Sequence, residues 1–193
     1  VSVATLDKGL LAKMKNSGCH SMSLGIECGN EHVLNQIVRK GLSLKTVRKV
    51  VKWAKQANIE VTGFFVLGMP GETLETLKET INFAKSLDLD WAYFFIATPY
   101  PGTELYQICK SKGYLRETNK IKLNPHFSAI ETEVLSAEDL QRFHRRAYYE
   151  FFVHQLTSHP FRYLKQPRKL KKIMSIYLTY AWHRFLSLVA TET

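Results

Sequence analysis

Three short apolar runs, residues 22–26, 59–67 and 90–97, alternate with segments whose apolar residues recur at helical spacing, and this alternation constrains the fold more than any other feature. The runs lie roughly thirty to forty residues apart, the length of a strand–helix crossover unit, so the sheet they form should be parallel. Helices are predicted behind an Asp7 cap (Leu10, Leu11, Met14), over 31–39, over 44–58 behind Ser43 (Val47, Val50, Val51, Ala54), over 74–87 and over 103–113. Each strand ends in a loop, Glu27-Cys28-Gly29-Asn30, Gly68-Met69-Pro70-Gly71-Glu72-Thr73 and Thr98-Pro99-Tyr100-Pro101-Gly102. Three strands are too few for a closed barrel and leave two bare edges, so further strands are expected upstream of Val1.

After Leu115 the pattern changes to a polar stretch, then to a capping signal at Ser136-Ala137-Glu138-Asp139, a helix to about Gln155 and a last helix ending near Ala190. The formal charge of +10 is concentrated there, since ten Lys/Arg face two Glu from Gln141 onward. An apolar content of 45% is enough for a core, and no run of eighteen uncharged apolar residues could span a bilayer. Cys19, Cys28 and Cys109 are odd in number and widely spaced, which excludes a disulfide framework and a CxxC clip and makes the cytoplasm the expected location.

In parallel strand–helix folds, ligands sit at the carboxyl ends of the strands, where helix N-termini present their positive dipole ends. Glu27 is the acidic group closing its strand, and a carboxylate there suits a diol such as a ribose. The alternative is that Glu27 caps the next helix or pairs with Arg39. Arg39, twelve positions on, could take a ligand carboxylate in a bidentate grip or simply favour a helix C-terminus. The Pro-Gly loops are equally readable as plain turns.

Taken together, Leu24-Gly25-Ile26-Glu27-Cys28-Gly29-Asn30, Val33-Leu34, Arg39-Lys40-Gly41, Val61 through Thr73 and Ala97 through Leu105 resemble the radical S-adenosylmethionine (radical SAM) superfamily. The likeness is greatest to members with an N-terminal cobalamin-binding domain. It implies an α/β fold: the C-terminal half of a partial (β/α)6 TIM-like barrel in residues 1–116, then a helical, basic extension in 117–193. Glu27 is similar to the residue that holds the adenosyl ribose, and Arg39 matches the position that grips the methionine carboxylate. Gly68, Met69, Pro70 and Gly71 correspond to the fifth-strand loop, and Ala97 and Thr98 to the sixth-strand edge, both beside the adenosyl group. Some relatives place an aspartate near Phe64 as a further ribose ligand, where this chain has phenylalanine.

The implied cofactors are S-adenosylmethionine, a 4Fe-4S cluster and cobalamin, the last two bound mainly by upstream domains of the parent chain. The implied chemistry is radical attack on an unactivated carbon of a small molecule, lipid-like substrates included, ending in methylation, cyclisation or rearrangement. The chain lacks the CxxxCxxC motif that ligates the family's cluster, its cysteines being separated by 9 and 81 positions, and it lacks the glycine-glycine-glutamate element. Alone it is expected to be inactive. His20, His126 and His144 have no metal-site spacing. Tyr148, Tyr149, Phe151 and Phe152 read as core packing before substrate contact.

A nucleic-acid-binding module, drawn from Arg142, Arg145, Arg146 and the basic cluster 168–172, is the second reading, and a non-catalytic barrel fragment the third. The apolar face from Leu170 to Val189 behind that cluster could pack on protein or lie on a membrane surface.

Overall fold

The computed structural model describes residues 1–116, 128–164, 170–171, 173–175 and 178. It divides into two units, Val1–His144 and Arg145–Thr193. In the first, β1 (Ser21–Glu27), β2 (Glu60–Leu67) and β3 (Trp91–Ile96) form a parallel sheet in the order β1-β2-β3, as the alternation requires. Four helices accompany them: α1 (Lys8–Asn16), α2 (Leu44–Gln56), α3 (Leu74–Ser86) and α4 (Glu104–Ser111).

Strand pleating divides the sheet into two faces. Leu24, Ile26, Val61, Phe65, Leu67, Phe94 and Ile96 are buried, as are Leu11, Val47, Val50, Val51, Ala54, Leu77, Ile81 and Ala84 of the helices. Phe65 and Phe94 are register partners whose rings stack at 5.2 Å, a contact worth about 0.5–1.5 kcal/mol beyond their buried area. On the other face, Gly25, Phe64 and Tyr93 stand in one half-buried row.

Helix starts follow the capping residues. Asp7, Ser43 and Thr103 accept from Leu10, Thr46 and Tyr106 amides at 2.8, 3.1 and 3.2 Å, and Thr73 forms a reciprocal box with Thr76. Each cap contributes about 1 kcal/mol. At the foot of the sheet, the Asp90 carboxylate accepts from the Val61 amide at 2.8 Å and from the Lys55 ammonium at 2.6 Å.

The segment expected as an α-helix over 31–39 contains instead a π-helical turn, Val33–Ile37, closed by the Val38 amide on the Val33 carbonyl at 2.9 Å. The helical residues Glu31 and His32 lead into this turn behind Asn30, whose Oδ1 accepts from Val33 N–H at 2.9 Å. Its C-terminus stops as helices do at a left-handed residue: Arg39 has φ 56°, and the Lys40 amide reaches back to the Leu34 carbonyl at 3.0 Å.

Beyond α4, Leu115 and Ile130 pair as an antiparallel bridge. The predicted tail helix runs over Ala137–Ser158 as α5, with Ser136 Oγ accepting from the Asp139 amide at 3.0 Å. A short helix α6 (Pro160–Leu164) comes next. In the second unit Phe151 and Phe152 are buried in edge contact at 5.2 Å, in keeping with a packing role. His126 and most of the apolar and basic segment 165–193 lie outside the described residues. Among the described residues, no helix is long and apolar enough to cross a membrane.

Candidate functional site

The carboxyl edge of the sheet is built by three loops, and the first leaves its strand abruptly. Between Gly25 and Glu27 the pairing with β2 slips by one residue, a bulge that bends β1 and re-aims the side chains at its end. The Cys28 amide bonds the Ile26 carbonyl at 3.1 Å, and Glu27 between them has φ 74°. This is the rare, strained form of the γ-turn, adopted here by a residue with a Cβ.

Glu27 neither caps a helix nor meets Arg39. Its Oε1 pairs with the Lys40 ammonium, both side chains about three-quarters buried, with relative exposures of 23% and 27%. Gly25 lies beneath the pair: a Cβ there would come within 2.9 Å of Glu27 Oε1 and 3.1 Å of Lys40 Nζ. Arg39 turns the other way, its guanidinium bonding Glu104 at 2.9 Å with 69% of its side chain exposed. The two adjacent cations thus serve different elements.

Gly29 packs against α3, its amide donating to Thr80 Oγ1 at 2.9 Å and the Phe83 Cβ occupying the space its own Cβ would need. The second loop curls around a carboxylate that sequence reasoning passed over. Glu72 is 1% exposed, and its Oε2 accepts from the Gly68 and Met69 amides at 2.7 and 2.9 Å. Those two amides therefore brace the loop. Burial pushes the Glu72 pKa up to about 7, against the lowering effect of the same amides. Gly71, at φ 100°, stands over Ile37 of the π-helical turn, and Met69 and Pro70 are half-buried beside it.

At the third loop, the amide of buried Ala97 extends the ladder to the Leu67 carbonyl at 2.9 Å, while the Thr98 hydroxyl donates to the Ile96 carbonyl at 3.0 Å. One step inward along the half-buried face, Phe64 meets Tyr93 and Phe95 edge-on at 5.6 and 5.9 Å. The position where some relatives carry an aspartate is part of an aromatic cluster.

The donor set tests the implied cofactors. A carboxylate, an ammonium and a bare glycine grouped at a strand end fit a ligand that offers hydroxyls and a zwitterionic amino acid, as S-adenosylmethionine does. An iron–sulfur cluster does not fit. All three cysteines are free thiols, burial pushes Cys28 up to about 12 and Cys109 upward, and no group of three His, Cys, Asp or Glu among the described residues could hold a metal ion. His144 is a buried histidine satisfied by the Phe94 carbonyl, to which its Nε2 donates at 2.9 Å.

The model of the radical SAM superfamily matches residues 1–84. Residues 1–84 carry this radical SAM domain match, and similar proteins extend the likeness along the chain. An uncharacterized methyltransferase of Pyrococcus horikoshii is 34% identical over 151 residues, covering 78% of this chain and 33% of the relative. Cytidylyl-2-hydroxyethylphosphonate methyltransferase of Streptomyces wedmorensis is 32% identical over 57% of this chain and 22% of the relative. Among solved radical SAM structures, the methyltransferase TsrM from Kitasatospora setae, with tryptophan and a SAM analogue bound, superposes with a TM-score of 0.55 at 16% identity, over 79% of this chain and 35% of that one. Coproporphyrinogen III oxidase from Escherichia coli superposes with a TM-score of 0.54 at 14% identity, over 74% and 29%. The likenesses to these two solved structures establish the partial barrel fold. The chain spans about a third or less of the length of these relatives.

Proposed function

We propose that this chain is the carboxyl-terminal half of a radical SAM barrel, residues 1–116, with a helical extension, 117–193, from a cobalamin-dependent enzyme that methylates a small molecule. The observation that carries the reading is the buried-side pairing of Glu27 with Lys40 at the end of β1, within the stretch that matches the superfamily. Its support for methyl transfer is that the relatives from Pyrococcus horikoshii and Streptomyces wedmorensis both bear the name methyltransferase. Bound S-adenosylmethionine supplies the family's radical or methyl group. Glu27 would accept from the ribose hydroxyls, and the loop Gly68-Met69-Pro70-Gly71 with Ala97 and Thr98 would wall the adenosyl group from water. Arg39 reaches the methionine carboxylate only by leaving Glu104, which its exposure permits. No residue of this chain is assigned to cobalamin or to the cluster. Three free thiols fit a reducing, cytoplasmic compartment.

Calorimetric titration of the intact protein with S-adenosylmethionine tests the reading. Glu27→Ala should weaken binding by roughly 1–3 kcal/mol, the value of a charge-assisted hydrogen bond. Unchanged affinity would leave Glu27 a structural turn residue and remove the basis of the assignment. Transfer of label from methyl-labelled cofactor to a small-molecule acceptor, measured anaerobically, separates methylation from cyclisation.

A further inference from the structure

We propose that Lys40 is a positioning residue for Glu27: its ammonium, seated over Gly25, holds the Glu27 carboxylate in the orientation that a strained turn alone would not keep. The proposal rests on the reading of Glu27 as a cofactor ligand. Strained backbone persists only where its surroundings over-determine it, and Glu27 sits at φ 74° in a three-residue turn at the bulged end of β1. The Cys28–Ile26 bond fixes the backbone of that turn but leaves the side chain free to rotate.

Lys40 supplies the missing constraint from a different element. The Arg39 backbone, at φ 56°, terminates the π-helical turn, and the Lys40 amide is anchored on the Leu34 carbonyl at 3.0 Å. The chain reversal therefore delivers the Lys40 side chain to the strand end while Arg39 goes to Glu104. Gly25 completes the arrangement, because any side chain there would displace one partner or the other. With Oε1 held by Lys40, Oε2 is the Glu27 oxygen with no hydrogen bond to a described residue, and it is the atom left for a ligand hydroxyl.

The test uses the intact protein and S-adenosylmethionine as the probe, with affinity by calorimetry and fold by circular dichroism melting. Lys40→Ala should weaken binding about tenfold or more, the loss expected of one charge-assisted contact. Lys40→Arg should restore most of it, and Lys49→Ala, an exposed cation of α2, should not change it. In the double variant with Glu27→Gln, the Lys40→Ala loss should shrink to less than about threefold, because positioning acts only through Glu27. Should Lys40→Ala fail to fold, Lys40→Gln keeps the stem and serves the same cycle. Additive losses in the double variant, or undiminished affinity in the single one, overturn the proposal while the cofactor reading stands. No binding by the unaltered protein overturns both.

Discussion

Leu140 of α5 seals the end of β2 by resting on Gly68: a Cβ added to Gly68 would lie 2.5 Å from Leu140 Cδ2. Gly68 also has φ 84°, a conformation costly for residues with side chains. Gly68→Ala should therefore lose about 2–4 kcal/mol, strain and overpacking acting together. Adding Leu140→Ala should recover the steric part. Urea unfolding of the single and double variants measures both, and additive losses would show that the contact is slack.

Glu72 predicts a pH dependence. Its pKa rises from the ordinary 4.5 to about 7 on folding, so the folded state holds the proton more tightly than the unfolded chain. The contribution is fully present below the ordinary value and is lost as pH rises through the folded one. The geometry accommodates the proton, since both amides converge on Oε2 while Oε1 lies 3.4 Å from the Thr76 hydroxyl, which can turn from donating to accepting once Oε1 is protonated. Cys28 is close enough to feel the charge, and its own elevated pKa keeps it neutral across this window. Stability of the unaltered protein should fall relative to Glu72→Gln between about pH 5 and about pH 8. Parallel curves for the two proteins would refute the raised pKa.

Asp90 is 7% exposed and serves both Val61 and Lys55. Asp90→Ala leaves a backbone donor and a partly buried ammonium without this acceptor, and should cost about 2–4 kcal/mol. Asp90→Asn, which keeps an acceptor for Val61, should cost less. Denaturant midpoints decide the order, and an equal loss would assign the effect to the Lys55 pair.

The thiols make a chemical prediction. Cys19 is half-exposed, whereas Cys28 and Cys109 are buried with raised pKa values. A disulfide reagent near neutral pH should modify Cys19 quickly and the other two only after unfolding. Anaerobic incubation of the 193-residue chain with iron and sulfide should yield no stoichiometric cluster. A cysteine-dependent cluster spectrum would mean that the three sulfurs converge.

The fold was legible because its determinants are local. A pleat has period two and a helix 3.6, so the apolar residues of β1, β2 and β3 and of α2 announce their elements directly, and Asp7, Ser43 and Ser136 mark helix starts through bonds only three residues long. The special loops were legible as loops, and their order carried the resemblance to the family.

What only the tertiary structure decided is which side chain meets which. The sequence puts Arg39 and Lys40 side by side with equal charge, and nothing local separates them. The left-handed stop at Arg39 sends one cation to Glu104 on α4, 65 positions away, and the other to Glu27 on β1. Glu72 could not be distinguished from a solvated loop carboxylate by its neighbours in the chain. It is buried because its loop closes over it between Ile37 and Leu140, residues that packing, and not sequence proximity, brings to Gly71 and Gly68. Periodicity records the solvent each residue expects, while the pairing of charges depends on backbone turns that a single bulge or a single positive φ can redirect.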